Sequence, residues 1–156
     1  TTSGLSLNDT LQVGPTVQPD LISIILRFRT RDVALVADIV KMYRQVKVSP
    51  EDQNLLRIFW QSSPQELLQE FQLNTVTYGT TPAAFLATRT LNQLAIDEGD
   101  NYPLAASAVV SDFYVDDLIS CHDDSDQAIS VYHQLTTMLI LGGFELRKLT
   151  PILPKC

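Results

Sequence analysis

The chain has 156 residues, is 45% hydrophobic and 19% charged, and carries a net charge of −7. That size and balance suit one globular domain with a real core and exclude a disordered segment. No apolar run approaches the roughly 18 residues of a membrane span, no signal peptide opens the sequence, and the acidic excess argues against a free-standing nucleic-acid binder.

Residues 1–18 are polar and rich in turn signals (Ser3-Gly4, Asn8-Asp9, Gly14-Pro15) and read as an extended arm. Pro19-Asp20 opens a helix, with proline at its first position and an acid in its first turn. Leu21, Ile22, Ile25, Leu26 and Phe28 give that helix an apolar stripe for burial, and Arg27, Arg29 and Arg31 fall at its C-terminal end. The apolar run Val33–Ala37 reads as a buried strand that delivers Asp38 to its end, a placement poor for stability and typical of sites. Gln45–Val48 alternates as a half-exposed strand, and Ser49-Pro50-Glu51-Asp52 carries the signals of a helical turn before a strand over Leu55–Trp60. A polar loop over Gln61–Glu70 precedes an alternating strand at Phe71–Thr77. Pro82 then starts a helix to about Glu98, burying Ala84, Phe85 or Leu86, Leu91, Leu94 and Ala95. Leu104–Val110 reads as helical, Ser125 caps a long helix ended by Gly142-Gly143, and Phe144–Lys148 reads as a last strand. Helices separated by antiparallel hairpins predict an α+β layer, with helices packed on one face of an antiparallel sheet.

Charge is unevenly spread. Nine acids and no Lys or Arg lie between Asp97 and Asp126, whereas residues 1–60 hold seven bases against six acids. The first third is therefore the candidate for phosphate contact and the acidic block for cations. Cys121 and Cys156 are too few for a disulfide scaffold or a zinc site, so a reducing interior is expected. The opening Thr-Thr-Ser-Gly, without Met, reads as a piece cut from a longer product.

Within the acidic block, Asp116 and Asp117 are flanked on both sides by apolar strand-forming residues. Neighbours on a strand face opposite ways, so a tight turn between two short strands is needed to present both carboxylates at one edge. An ordinary hairpin turn accounts for an Asp pair by itself. With Asp38 brought alongside, three acids at strand ends suit divalent cations, which remove the repulsion between them.

Tyr114-Val115-Asp116-Asp117 resembles the Tyr-X-Asp-Asp box of retroelement reverse transcriptases. Asp38–Tyr43 resembles their first palm motif, Thr75–Leu91 the second, and Gly142–Lys148 the fourth. With Val13–Asp20 and Lys41–Gln45, the wording is similar to the BEL/Pao class of LTR retrotransposons. The resemblance implies a polymerase palm with part of the fingers, as a single partial domain over residues 1–156 of a retrotransposon pol polyprotein. It implies RNA-directed DNA polymerase activity, a nucleotidyl transfer using two Mg²⁺ ions, with Mn²⁺ as an alternative. Asp38 and Asp116 would bind both metals and Asp117 would complete the cluster. Tyr43 would reject a 2′-hydroxyl and so select dNTPs. Ile39, Tyr78, Gly79, Tyr114 and Val115 would line the nucleotide, Arg44 and Arg89 would meet nucleic acid, and Lys148 would protonate pyrophosphate. The implied partners are an RNA or DNA template-primer, dNTPs and the rest of the polyprotein, without a membrane. The implied location is a cytoplasmic virus-like particle or the nucleus.

Val40, the early Pro82 and Leu149 depart from the family's usual wording. The chain reads as starting after the fingers hairpin that grips the triphosphate and ending before a thumb, so little synthesis is expected of it alone. A non-catalytic remnant or co-opted interaction module is the alternative. Asp123-Asp124-Ser125-Asp126 lacks a calcium-loop pattern and reads as a helix cap.

Overall fold

The structure is a computed structural model that describes residues 4–147 and the backbone of residues 150–152. The arm is not wholly extended. Ser6 and Asp9 form a reciprocal capping box around a single turn, α1 (Leu7–Thr10). Helix α2 (Leu21–Phe28) begins two residues later than expected, because Asp20 is its N-cap and accepts the Ser23 N–H at 3.0 Å. Its apolar stripe was expected inside, yet Ile24 is its one buried residue, and Ile22 and Leu26 are 71% and 63% exposed. Periodicity says which side chains share a face; whether a layer covers that face is decided elsewhere in the chain.

Strand β1 (Val33–Asp38) runs as expected, with Leu35 and Ala37 buried. After it, the strand expected at Gln45–Val48 is replaced by a short helix, α3 (Met42–Gln45), and one bridge between Lys47 and Thr75. A 3₁₀ turn at Gln53–Leu56 leads into β2 (Arg57–Trp60). Its partner β3 (Gln69–Gln72) starts and ends earlier than the alternation at Phe71–Thr77 suggested. These two strands form a separate ribbon in which every residue is exposed.

Two helices follow, α4 (Ala83–Glu98) and α5 (Pro103–Asp112), and then the hairpin of β4 (Phe113–Tyr114) and β5 (Asp117–His122). Helix α4 buries Ala83, Ala87, Thr88, Leu91 and Ala95, while Ala84 and Leu86, expected inside, face outward. Asp124 rather than Ser125 caps α6 (Ser125–Leu141), accepting the Gln127 N–H at 2.8 Å. Of the strand expected at Phe144–Lys148, the described residues 144–147 show one bridge, between Ile39 and Leu146. A short strand not foreseen, β6 (Thr150–Ile152), pairs with β1 instead.

The main sheet has the order β4-β5-β1-β6, and the described pairings are antiparallel. Helices α4, α5 and α6 pack together, and α6 meets β1 and β5. Ala87, Ala95, Ala105 and Ala108 are all buried, and their small side chains let these helices approach closely. Leu118, Leu135, Met138 and Leu139 are fully buried in the same core. Removing a leucine of this kind from water is worth about 1.5–3 kcal/mol, so a handful of them fixes the register of β1 against β5. Among the described residues, no helix is long and apolar enough to cross a membrane.

Candidate active site

The register of β1 against β5 places Asp38 directly opposite Asp117. Leu35, Ala37, Leu118 and Ser120 point into the core, so strand alternation turns both acids to the other face. Tyr114 is the partner of Asp117 across the hairpin and shares that face. Directly opposed residues hold their Cβ atoms about 4.5–5.5 Å apart, and like charges there are destabilising.

Val115 and Asp116 form the two-residue loop of this hairpin. Val115 has φ of 56°, and it and Lys41 are the non-glycine residues of positive φ among those described. Positive φ at the first loop residue but not the second is the type II′ pattern, whose twist suits a tight hairpin. A β-branched residue is a poor occupant of that region, and such strain costs about 1–3 kcal/mol. The Asp116 carbonyl accepts the Ile39 N–H at 2.9 Å, which ties the loop to the end of β1. Thus Asp38, Asp116 and Asp117 come together at one corner, although Asp38 is 78 residues from Asp116 in sequence.

Electrostatics records the crowding. Asp117 is held above the ordinary carboxylate value by burial, then by the charges of Asp116 and Asp38. Asp38 has Arg147 at 3.7 Å from Oδ2, while its Oδ1 is buried without a hydrogen-bond partner. An orphaned carboxylate oxygen is rare in a native interior and calls for an explanation such as an ion. Among the described residues, however, no three Asp, Glu, His or Cys groups are arranged to hold a metal unaided.

Tyr43 lies beside the acids. Its hydroxyl is pushed up by burial, then by Asp116 and Tyr78. The Tyr43 and Tyr78 rings are 4.7 Å apart and tilted by 52°, and the Arg44 guanidinium stands 5.9 Å from the Tyr78 ring. Gly79 follows at φ of 83°, exposed, with no atom close to where a Cβ would point. Ile39 contributes no side chain to this surface, being fully buried, and its N–H is already bonded to Asp116. Arg89 is exposed on α4. Lys148 lies outside the described residues; its neighbour Arg147 donates its N–H to the Asp38 carbonyl at 2.8 Å.

Sequence reading missed three contributors: Arg147, Gln18 and Asn8. Gln18 Oε1 accepts the Val115 N–H at 3.0 Å. The Asn8 side chain donates to the Gly79 carbonyl at 2.8 Å and accepts the Thr81 N–H at 2.9 Å. Gln18 and Asn8 meet partners 71 to 97 residues away, so no local pattern announces them. The cations foreseen for phosphate are partly engaged elsewhere, with Arg27 paired to Asp112, Arg31 to Asp123 and Arg57 to Glu70.

No protein-family model matches the sequence, and no curated protein does. Solved structures do match. The native prototype foamy virus protease-reverse transcriptase superimposes with a TM-score of 0.68 over 93% of this chain, at 17% identity. The foamy viral protease-reverse transcriptase in complex with an RNA/DNA hybrid gives 0.65 over 86%, at 13% identity. The fold is reverse-transcriptase-like. The chain spans 18% and 16% of the length of those two structures, so the likeness extends to the fold of the aligned part.

Proposed function

We propose that this reverse-transcriptase-like fold is a palm, with part of the fingers, from a BEL/Pao-class retrotransposon. Its activity is proposed to be RNA-directed DNA synthesis, adding dNTPs to a primer 3′-hydroxyl on an RNA or DNA template. The observation that carries the reading is the pairing of Asp38 with Asp117 beside the Val115-Asp116 loop.

The donor set fits magnesium. It is all oxygen, one oxygen of Asp38 is buried and unpartnered, and Asp117 is held above the ordinary carboxylate value by burial and then by the charges of Asp116 and Asp38. Magnesium takes only one or two carboxylates and completes its shell with water and phosphate, which agrees with a corner that does not close around an ion unaided. Asp38 and Asp116 would hold two such ions, or manganese, with Asp117 beside them; when bound, the pair activates the 3′-hydroxyl and stabilises the leaving pyrophosphate.

This chain's own residues then have distinct tasks. Tyr43, anchored against Tyr78, presents a rigid ring at the position where a ribose 2′-hydroxyl would collide. Tyr78 and the bare backbone of Gly79 offer an aromatic face and a close approach to nucleotide and template base, alongside Tyr114 and Val115. Arg44 and the exposed Arg89 are available to phosphate. Lys148 would donate the proton to pyrophosphate.

Manganese binding, read by the loss of the free-ion EPR signal, tests the reading. The wild-type chain is expected to bind Mn²⁺, and Asp38→Asn and Asp116→Asn each to weaken it by at least about tenfold. Equal binding by all three would remove the basis for the polymerase assignment.

A further inference from the structure

The N-terminal arm reaches two residues of the candidate site, Gly79 and Val115, and is fastened at several points. Besides the two Asn8 contacts, the Val17 carbonyl accepts Asn92 Nδ2 of α4 at 2.8 Å. Gly14, at φ of 81°, lies so close to the Phe85 ring that a Cβ would come within 2.4 Å of it. These anchors fix residues 8–18 against α4 and the loop before it, with Gln18 reaching the hairpin loop.

The group that Gln18 meets is informative. Val115 is the first loop residue of a two-residue hairpin, and its N–H points away from the ladder that joins β4 to β5. The Gln18 acceptor therefore meets a donor that the sheet does not use, at the one strained residue of the acid turn. An amide oxygen can satisfy that donor without adding a fourth negative charge to a corner where Asp38, Asp116 and Asp117 already repel. Asp116 is the next residue, so the orientation of the Val115 peptide sets where its carboxylate stands.

We infer that Gln18 is a positioning residue for the acid turn, holding Val115 at positive φ so that Asp116 faces Asp38 and Asp117. The inference rests on the reading of this corner as a divalent-metal site, and it assigns to the arm a task that the acids cannot perform for themselves.

The test uses Gln18→Met, which keeps length and removes the acceptor, in the wild-type chain and in a Val115→Gly background where positive φ is free of strain. Two quantities are read: hydrogen exchange of the residue 115 amide by NMR, and Mn²⁺ affinity by EPR. Gln18→Met is expected to speed exchange at residue 115 about tenfold or more and to weaken Mn²⁺ binding about three- to tenfold. In the Val115→Gly background the same substitution is expected to change Mn²⁺ affinity by less than about twofold, because glycine needs no restraint there. Unchanged exchange at residue 115, or equal losses of Mn²⁺ affinity in both backgrounds, would overturn the inference. Should the wild-type chain bind Mn²⁺ no better than Asp116→Asn, the metal reading fails, and the exchange rate at residue 115 still decides whether Gln18 holds the turn.

Discussion

Both ends of the β1–β5 strand pair carry carboxylates, and the fold treats them in opposite ways. At the Val33–His122 end, Arg31 pairs with Asp123, and Arg27 lies 3.6 Å from Asp112, which also accepts the Ser120 hydroxyl at 2.6 Å. At the Asp38–Asp117 end, three acids face one another, and among the described residues the ion pair there is that of the exposed Arg147, 3.7 Å from one oxygen of Asp38. One end is an ordinary neutralised surface. The other keeps its repulsion, and a fold that neutralises acids a few residues away has the means to do so here. That remaining charge is what the proposed divalent ions would neutralise.

The difference gives opposite signs for apparently similar substitutions. Asp112→Ala removes the acceptor of a partly buried hydroxyl and the partner of Arg27, and is expected to destabilise the chain by about 1.5–3 kcal/mol, measured by urea unfolding. Asp117→Asn, at the other end, relieves a like-charge pair and is expected to stabilise it by about 0.2–1 kcal/mol in the same assay. A loss of stability on Asp117→Asn would mean that the two ends are alike.

The smallest effect is one of pH and belongs to the neutralised end. His122 is held below its ordinary value of 6.5 chiefly by burial; Asp112 opposes that shift, Arg31 adds to it, and Asp123 and Asp124 oppose it. The folded chain thus prefers the neutral ring, while the unfolded chain takes up the proton more readily. The stability this contributes is complete above pH 6.5 and is lost as pH falls through that value toward the lower folded one. A thermal melt series from about pH 8 to about pH 5 is expected to show that decline, and His122→Gln to flatten it.

The contrast also explains what could be read from the chain beforehand. An acid at the end of an apolar run and an acid doublet between two strand-forming runs are local signals, and Asp38, Asp116 and Asp117 were visible through them. The helices at Ala83–Glu98, Pro103–Asp112 and Ser125–Leu141 carried enough apolar residues between clear stops to be found within a few positions. Burial of α2 was misjudged because the helix meets β5 and β4 along a narrow side that buries Ile24 and leaves Ile22 and Leu26 outside. The segments at Gln45–Val48 and Phe144–Lys148 alternate like strands, yet among the described residues each makes a single bridge, since pairing depends on a partner placed by the rest of the fold. Gln18 and Asn8 were invisible for a simpler reason: a side-chain amide that bonds backbone far away leaves no periodic trace.

The outlying ribbon of β2 and β3 has a practical consequence. Its register sets Ile58 opposite Phe71 with Trp60 on the same side, and all three are exposed. A two-stranded ribbon is barely stable in water by itself, and an oily side left wet seeks company. A concentrated preparation is expected to cloud through this ribbon first, and a lysine in place of Phe71 is where an effort to keep the protein in solution should begin.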